Sequence, residues 1–478
     1  MLNNKLNKNL KIIGSIIEKK LSILKKDKKI GDNNLILLFY HELMYFFCTE
    51  YLENKISSNK KFYKKNYFLC RDDKYIFEKK KTNTLFKIFK KLFNLISLFI
   101  DKFTKKKILI YGFNLSFFDY LKFIIYTYSK GYSVFFINNP KLRYIEVKYQ
   151  RQIVIDLMLE IRKKFQLKFN TEKFIINLDY GIKKLKLNEL EKKNKKKTYL
   201  ITSNVASIYN RLFALSGYKK KNHKTILFFH SDEMGAVSQY AWRYDDLSTC
   251  DILVGYGRYG DFKKNKDKNL KSLNDQPRII YTNSEECQNI FNSRSLKKSG
   301  IDIKNSRGLY ISAKIKKIDA IQPDHFIIDP QKYIQWQDYL FKNMDNLDFK
   351  EHPKQKLVVN YNFVNKKLKS NSLQNIYKDY DFFVFDYVSS SAFQVLASTN
   401  KPIIYYDIGL SKLSNLGDHY LNKRVKNIKV NIYKNFKGFH IPSKVNLKTY
   451  DFNSYTRKFS LPYNKSIKRW QLLINKVL

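Results

Sequence analysis

FFVFDYVSSSAFQVLASTNKPIIYYD, residues 382–407, is the stretch that decides the fold. An apolar run ends at Asp386, three serines follow, and a helical stretch then leads through a Lys-Pro pair into a second apolar run. Such a strand–helix–strand unit is typical of a parallel sheet. The serines stand where the helix begins, so Ser389, Ser390 and Ser391 allow two interpretations. They are a helix cap with spare neighbours, or they are hydroxyls that bind a phosphate.

Outward from this unit, short apolar runs alternate with helical stretches over most of the chain. The earlier strand candidates are KILIYGF, YSVFFINN, KFIINL, TYLITS, TILFFHS, DILVGYG and RIIYTNS. After a polar stretch at residues 292–308, the candidates are LYISAKI, LDFKEH, KLVVNY, FFVFDY and KPIIYY. This alternation predicts an α/β fold with two Rossmann-like, doubly wound domains that face a cleft.

The predicted organisation has four parts. They are a helical N-terminal extension (1–105), an N-terminal Rossmann-like domain (106–300), a C-terminal Rossmann-like domain (301–450) and a closing helix (451–478). A chain of 478 residues with 44% hydrophobic residues is long and apolar enough for several cores.

The net charge of +49 invites a nucleic-acid interpretation, but the pattern argues against it. The excess is mostly dispersed lysine, and no helix-turn-helix, zinc-finger or RNA-recognition module is present. The charge instead favours anionic partners such as phospholipid surfaces, nucleotide phosphates and acidic glycans. The four cysteines form no C-x-x-C pair and the N-terminus lacks a signal-peptide apolar core, so we expect a cytoplasmic location.

The stretch LFKIFKKLFNLISLFIDKF, Leu85 to Phe103, has the period of an amphipathic helix with a lysine-rich polar side. Two interpretations are equally open. It is an interfacial membrane helix, or it is an ordinary helix that covers a core. No stretch of the sequence reaches the roughly 18 uninterrupted apolar residues of a membrane-spanning helix.

Two further strand ends carry side chains that are capable of chemistry. LDFKEHPKQK places Lys350, His352 and Pro353 after a short strand. A histidine before proline has a restricted backbone and can donate a hydrogen bond to a phosphate, although His-Pro alone is usually a turn. HSDEMGAV places Asp232 and Glu233 after TILFFHS. A carboxylate there is a candidate general base, although helix capping is the favoured interpretation of this segment alone.

Other motifs are missing or weak. No G-x-G-x-x-G follows a strand and no Walker A loop is present, so the sequence gives little support for dinucleotide binding. The pair Asp379-x-Asp381 precedes its strand and reads as a turn. No cluster of His, Asp and Glu has metal-ligand spacing, so we expect neither a metal nor another cofactor.

In order and spacing, Asp232-Glu233-Met234-Gly235, His352-Pro353 and Ser389-Ser390 together resemble the motifs of one enzyme family. The family is the bacterial surface-polysaccharide glycosyltransferases of GT-B fold, of the sialyltransferase and polysialyltransferase type that uses CMP-activated acidic sugars. The CDP-glycerol glycerophosphotransferases are similar in the later two motifs and in the KPII strand. The resemblance covers about residues 107–450.

Two departures from the family pattern leave questions open. Met234 separates the acids from the glycine, so either acid could be the base. Gln394 stands where many such enzymes have an acid that binds the donor, so the identity of the donor is uncertain. A glutamine can still hydrogen-bond a hydroxyl as a neutral group.

The resemblance implies a metal-independent, inverting transfer of a sugar from a nucleotide donor to a surface glycan or a lipid-linked acceptor. Asp232 or Glu233 would remove the proton of the acceptor hydroxyl. The leaving phosphate would be stabilised by His352 and Lys350 and bound by the serines. Pro353, Ser391 and Gln394 complete the expected donor side. The enzyme would work at the inner membrane face, where the helix of residues 85–103 would hold it.

Three alternatives remain. The nearest is a CDP-glycerol-type glycerophosphotransferase, in which His230 becomes the candidate base. The second is a non-catalytic glycan- or membrane-binding protein on a GT-B scaffold, which Gln394 slightly favours and the retained motifs oppose. The third is a nucleic-acid-binding protein, which would show steeply salt-dependent binding.

Overall fold

A computed structural model describes a defined part of the chain. The described residues are 9, 12–17, 19–20, 35–55, 84–113, 115–138, 147–167, 170–185, 187, 196–203, 207–217, 221–229, 236, 249–257, 277–294, 300–314, 330–352, 361–363, 367–368, 372–411, 413–464 and 467–478.

The first half of the chain forms a parallel sheet of six strands in the order β2-β1-β3-β4-β5-β6. The strands are β1 (Lys106–Ile110), β2 (Tyr132–Phe136), β3 (Lys197–Ser203), β4 (His223–Phe228), β5 (Ile252–Tyr256) and β6 (Arg278–Thr282). All neighbours in this sheet pair in parallel. Each of these six strands overlaps one of the apolar runs seen in the sequence.

The helices that pack around that sheet are α1 (Leu35–Lys55), α2 (Thr84–Asp101), α3 (Phe117–Ser129), α4 (Val147–Phe165), α5 (Thr171–Lys184) and α6 (Ile208–Gly217). The next helix, α7 (Glu285–Asn292), packs on the second half of the chain, where its Cys287 and Ile290 join an apolar cluster. Helix α1 joins the apolar cluster that also contains α4 and α6. Its Glu42 is bound by Arg211 of α6, with 2.5 Å between Nη2 and Oε1. The described helices of residues 35–101 therefore pack together with the other helices that cover the first sheet.

A second parallel sheet of six strands follows, in the order β10-β9-β8-β11-β12-β13. A short antiparallel pair, formed by β7 (Gly300–Asp302) and β14 (Lys444–Asn446), stands apart from it. The strands of the sheet are β8 (Gly308–Ile311), β9 (Leu347–Lys350), β10 (Lys367–Leu368), β11 (Phe382–Phe385), β12 (Ile403–Asp407) and β13 (Lys426–Lys429). The helices of this part are α8 (Pro330–Asn343), α9 (Leu373–Ile376), α10 (Ser391–Ala397), α11 (Asn415–Arg424) and α12 (Ser454–Phe459).

Both sheets are covered on both faces, as a doubly wound fold requires. In β11, Phe383 and Phe385 belong to one apolar cluster, whereas Phe382 and Val384 belong to the cluster on the opposite face. The first sheet shows the same alternation between its two clusters. The structure is therefore a mixed α/β fold with two parallel sheets flanked by helices, compatible with two Rossmann-like domains.

The end of the chain returns to the first sheet. Helix α13 (Arg469–Lys476) inserts Leu472 and Leu473 into an apolar cluster of that sheet. The Tyr132 hydroxyl donates to the carbonyl of Leu478 at 3.0 Å. The segment predicted as one closing helix, residues 451–478, thus contains two helices: α12, which packs on the second half of the chain, and α13, which packs on the first.

One strand prediction is wrong. KFIINL, residues 173–178, lies inside helix α5. Its buried residues Phe174 and Leu178 fall four residues apart, with Ile182 one turn further on, while Ile176 is 67% exposed. Spacing of four residues places side chains on one helical face, so the short apolar run belongs to a half-buried helix.

Of KLVVNY, residues 356–361, only Tyr361 is described, so that strand prediction lies outside the described residues. The sheet ends on this side with the two residues of β10. Strand β13 and the β7–β14 pair were not predicted from the sequence. Among the described helices, none combines the length and the apolar character that are needed to cross a bilayer.

Candidate functional site

The carboxyl edge of the second sheet has a topological switch point between β8 and β11. Strands β9 and β10 extend the sheet on one side of β8, and β11, β12 and β13 extend it on the other. In open parallel sheets, ligands bind beyond the carboxyl ends of the strands at such a point. Strand β11 leads into Asp386 and the three serines, and β9 ends at Lys350. The fold thus brings two of the motifs to one edge.

The pairing register relates these strand ends. Lys350 pairs with Ile311, and Ile311 pairs with Phe385. Register partners in a parallel sheet share a face, and two strand spacings span roughly 10 Å. Ile311 and Phe385 belong to the same apolar cluster as Phe393 of α10. Lys350 therefore lies on the face of the sheet that α10 covers.

Lys350 is a largely buried lysine at this edge, with only 7% of its surface exposed. Burial lowers the pKa of the Lys350 amine, and the neighbouring Glu351 carboxylate opposes that shift. A partly desolvated ammonium forms charge-assisted hydrogen bonds to anionic oxygens, so Lys350 is suited to bind a phosphate.

His352 lies two residues beyond Lys350 and is half-buried. Pro353 lies outside the described residues, so the predicted His-Pro backbone restriction is not described. Tyr361 adds a second group to this region. Burial raises the pKa of its hydroxyl, and the carboxylates of Glu351 and Asp386 raise it further. Tyr361 is therefore close enough to both carboxylates to sense their charge.

The three serines have different roles in the structure. Ser390 is the N-cap of α10, because its hydroxyl accepts a hydrogen bond from the Phe393 amide at 3.2 Å. Ser389 contacts Ser411, with 3.5 Å between the hydroxyl oxygens. Ser391 begins the helix and is exposed. The capping interpretation of Ser390 is correct, and the Ser389 and Ser391 hydroxyls lie at the switch-point edge.

Gln394 is engaged inside the protein. It is 1% exposed, and its amide nitrogen donates to the Tyr455 hydroxyl at 3.0 Å. Its amide oxygen accepts from the Ser460 hydroxyl at 3.4 Å. In this arrangement Gln394 joins α10 to α12 and the residue that follows it. Its predicted contact with the donor stays a prediction.

Sequence reasoning treated Asp386 only as a strand end. The structure makes it the centre of a fully buried network, in which its carboxylate accepts hydrogen bonds from Tyr310 at 2.6 Å, Trp336 at 3.0 Å and Tyr333 at 3.1 Å. The Ala313 amide donates to the Tyr333 hydroxyl at 3.0 Å. Burial raises the pKa of Asp386 to about 6, and these hydrogen bonds oppose the shift. The network ties the loop after β8 to the loop after β11.

The acidic stretch of the first half, with His230, Asp232 and Glu233, lies outside the described residues. The described residues that flank them in the sequence are Phe229, directly after β4, and Ala236. They therefore stand in the sequence between the carboxyl edge of the first sheet and Ala236.

Ala236 contacts the second half of the chain. Its carbonyl oxygen accepts from the Ser414 amide at 3.0 Å and from the Ser414 hydroxyl at 3.1 Å. Ser414 is also the N-cap of α11. Ala236 belongs to the apolar cluster that contains Ile311 and Phe385. The chain just after the acidic stretch is thus fixed to the half that carries Lys350 and the serines.

The sequence missed several groups because no local signal marks them. Ser312 and Ala313 border the switch point, which became visible only with the strand order. Ser411 was missed because it reaches the serine loop from beyond β12. Within the described ranges, no group of three His, Cys, Asp or Glu side chains could hold a metal ion.

Comparison with known proteins leaves the family open. No protein-family model matches the chain, and no curated protein sequence matches it significantly.

Proposed function

We propose that the protein is a glycosyltransferase of GT-B architecture, with the two sheets as the two facing domains. It transfers a sugar, such as a CMP-activated acidic sugar, from a nucleotide donor to a surface glycan or lipid-linked acceptor. The transfer is inverting and metal-independent. The observation that carries the proposal is Lys350, a largely buried lysine at the end of β9, beside the switch point of the second sheet.

A phosphate fits this place chemically. Its oxygens are anionic acceptors, and charge-assisted hydrogen bonds are about twice as strong as neutral ones. Lys350 and His352 lie two residues apart at the end of β9, and the Ser389 and Ser391 hydroxyls lie at the end of β11. In the proposed site these groups hold the phosphate of the donor and stabilise the charge that develops on it as the sugar leaves.

The general base comes from the first half of the chain. Asp232 or Glu233 removes the proton of the acceptor hydroxyl. The contact of Ala236 with Ser414 supports this role, because it joins the end of the acidic stretch to the donor half. Inverting transfer needs the acceptor and the leaving phosphate on opposite sides of the sugar. A base and a phosphate site on two different halves would meet that requirement.

Lys350→Met is the variant that tests the phosphate site. It removes the ammonium and keeps a flexible apolar side chain. We expect nucleotide affinity, measured by calorimetry with CMP, CDP, UDP and GDP, to fall by about tenfold or more. We also expect the free protein to be no less stable, because the variant removes a charge whose burial disfavours the ionised form. Lys342→Met, at an exposed position of α8, is the matched control and should change neither quantity.

Two results would overturn the proposal. One is equal nucleotide affinity in the Lys350→Met variant and the wild type, and the other is the absence of binding for all four nucleotides. The reaction type is then decided by incubating the protein with activated donors and analysing the product. A glycosidic bond supports the proposal, whereas a phosphodiester bond assigns the chain to glycerophosphate transfer. Nucleotide binding without any product indicates a non-catalytic scaffold.

A further inference from the structure

Helix α2 turns polar side chains towards the protein. The Asn94 amide donates to the Phe136 carbonyl at 2.9 Å and accepts from the Phe136 amide at 2.8 Å. Ser97 is fully buried and donates to the carbonyl of Val134. Strand β2 is the edge of the first sheet, so α2 satisfies backbone groups that the edge leaves open. These contacts fix which side of the helix faces outwards.

The outward side of α2 is apolar. Leu92, Leu95, Phe99 and Phe103 follow each other at helical spacing along it, and their exposed fractions are 53%, 65%, 65% and 75%. Burial of each of these side chains in an apolar medium is favourable. A continuous exposed stripe of this size is typical of an interaction surface.

Helix α3 extends this surface. It lies beside α2, since the Phe117 ring is 4.8 Å from that of Phe89 and the Tyr128 hydroxyl is 2.7 Å from that of Ser97. Its Phe118 is 71% exposed. We call the exposed residues of α2, α3 and the turn after α2 the α2/α3 surface.

The charges of the α2/α3 surface have one sign. The exposed charged side chains are those of Lys87, Lys91, Lys102, Lys122 and Lys130. The two acids of these described helices are paired with the protein. Asp101 pairs with Lys107 and Lys196, and Asp119 pairs with Lys468 at 3.2 Å. The surface therefore combines a wide apolar stripe with a rim of unneutralised positive charge.

We infer that the α2/α3 surface binds the face of an anionic phospholipid bilayer. Large apolar side chains insert among the acyl chains near the headgroups, and the lysines contact anionic headgroups. The surface is built by the tertiary fold. Asn94 and Ser97, which would face water in an isolated helix, attach α2 to the sheet, so the bound lipid contacts a folded domain.

Charge separates this partner from a second copy of the chain. Two copies that met through the α2/α3 surface would bring two lysine rims together in proteins that each carry +49. Like charges at an interface are unfavourable, whereas an anionic bilayer neutralises the rim.

The test uses the full chain and sedimentation with vesicles. Vesicles of phosphatidylcholine with phosphatidylglycerol are compared with vesicles of phosphatidylcholine alone. Leu95→Glu/Phe99→Glu places two acids in the apolar stripe. Ile176→Glu/Tyr180→Glu is the matched control, since both positions of α5 are exposed and are also four residues apart. Lys87→Gln/Lys91→Gln tests the charged rim.

We expect the wild type and the α5 control to bind the anionic vesicles equally. The α2 glutamate pair should reduce the affinity by at least about tenfold, and the lysine pair should reduce it by a similar factor. Absence of wild-type binding, or equal binding by the α2 glutamate pair, overturns the inference. A wild-type dimer in ultracentrifugation that the glutamate pair dissociates, without vesicle binding, assigns the surface to a second copy. Nucleotide affinity, measured without vesicles, tests the proposed function separately.

Discussion

Asp386 shows at the residue scale how the second sheet is held at its switch point. Three neutral donors surround its carboxylate, from Tyr310, Tyr333 and Trp336. Burial favours the protonated form and the hydrogen bonds favour the ionised form, and the net effect raises the pKa to about 6. Because Tyr333 also accepts from Ala313, the network positions both loops of the switch point.

Asp386→Asn should remove a pH dependence of stability. Between about pH 4 and 6 the folded protein keeps a proton on Asp386 that the unfolded chain has released, so the stability falls as the pH rises through this window. The variant cannot ionise. Relative to it, the wild type should lose on the order of 2–3 kcal/mol of unfolding free energy between pH 4 and 7. Urea unfolding at several pH values measures this difference.

The control for this experiment is Asp156→Asn, at an exposed position of α4. It should follow the wild-type pH profile. A constant difference between wild type and Asp386→Asn across the pH range would contradict the assigned pKa.

At the element scale, α2 covers a sheet edge with side chains in place of a further strand. An open edge presents unpaired backbone groups and invites pairing with another chain. Asn94 satisfies both groups of Phe136 with one side chain, and Ser97 satisfies the carbonyl of Val134. The amphipathic pattern of this helix predicted an exposed face and a buried face. It did not predict that Asn94 and Ser97 would face the sheet while large apolar side chains face outwards.

Asn94→Ala tests the role of α2 at the sheet edge. The variant leaves the amide and carbonyl of Phe136 without their partner, so we expect a loss of about 1–3 kcal/mol of unfolding free energy. Asn289→Ala, at an exposed position of α7, is the control for the change in helix propensity and should change stability little. Denaturant unfolding measures both variants. Equal stabilities of the two would show that the edge contact contributes nothing.

At the scale of the whole molecule, the two halves are joined at several points. Helix α13 carries the end of the chain back to the first sheet, and the Asn283 amide donates to the Tyr463 carbonyl at 2.8 Å. Near the proposed site, Gly417 of α11 lies against Ala236. A methyl group at Gly417 would be 1.9 Å from the Ala236 carbonyl oxygen. Only glycine allows this approach of two backbones.

Gly417→Ala should therefore separate the acidic stretch from the donor half. The added methyl group would be fixed to the α11 backbone and would meet backbone atoms of Ala236. The clash can therefore be relieved only if Ala236 or α11 moves. We expect a loss of stability of about 1–3 kcal/mol. We also expect a fall in transfer turnover that exceeds any change in nucleotide affinity, because the contact between Gly417 and Ala236 does not include Lys350.

Gly300→Ala is the matched control, since the nearest neighbour of its added methyl group would be the flexible end of the Lys444 side chain at 3.1 Å. It should retain turnover. If Gly417→Ala is as active as this control, the contact of Ala236 does not position the base.

The sequence alone determined the α/β class and most strand positions, because short apolar runs that alternate with helical stretches are typical of strands buried on both faces of a parallel sheet. It also placed Lys350 and the serines at strand ends. It failed at KFIINL, where the run is too short to separate a strand from a helix. Only the tertiary structure decided that Lys350 is largely buried. It likewise decided that Gln394 is engaged by α12 and that α2 turns its apolar side outwards. The reason is the same in each case. A local pattern states which side chains can be buried, but strand order and long-range contacts decide what covers them.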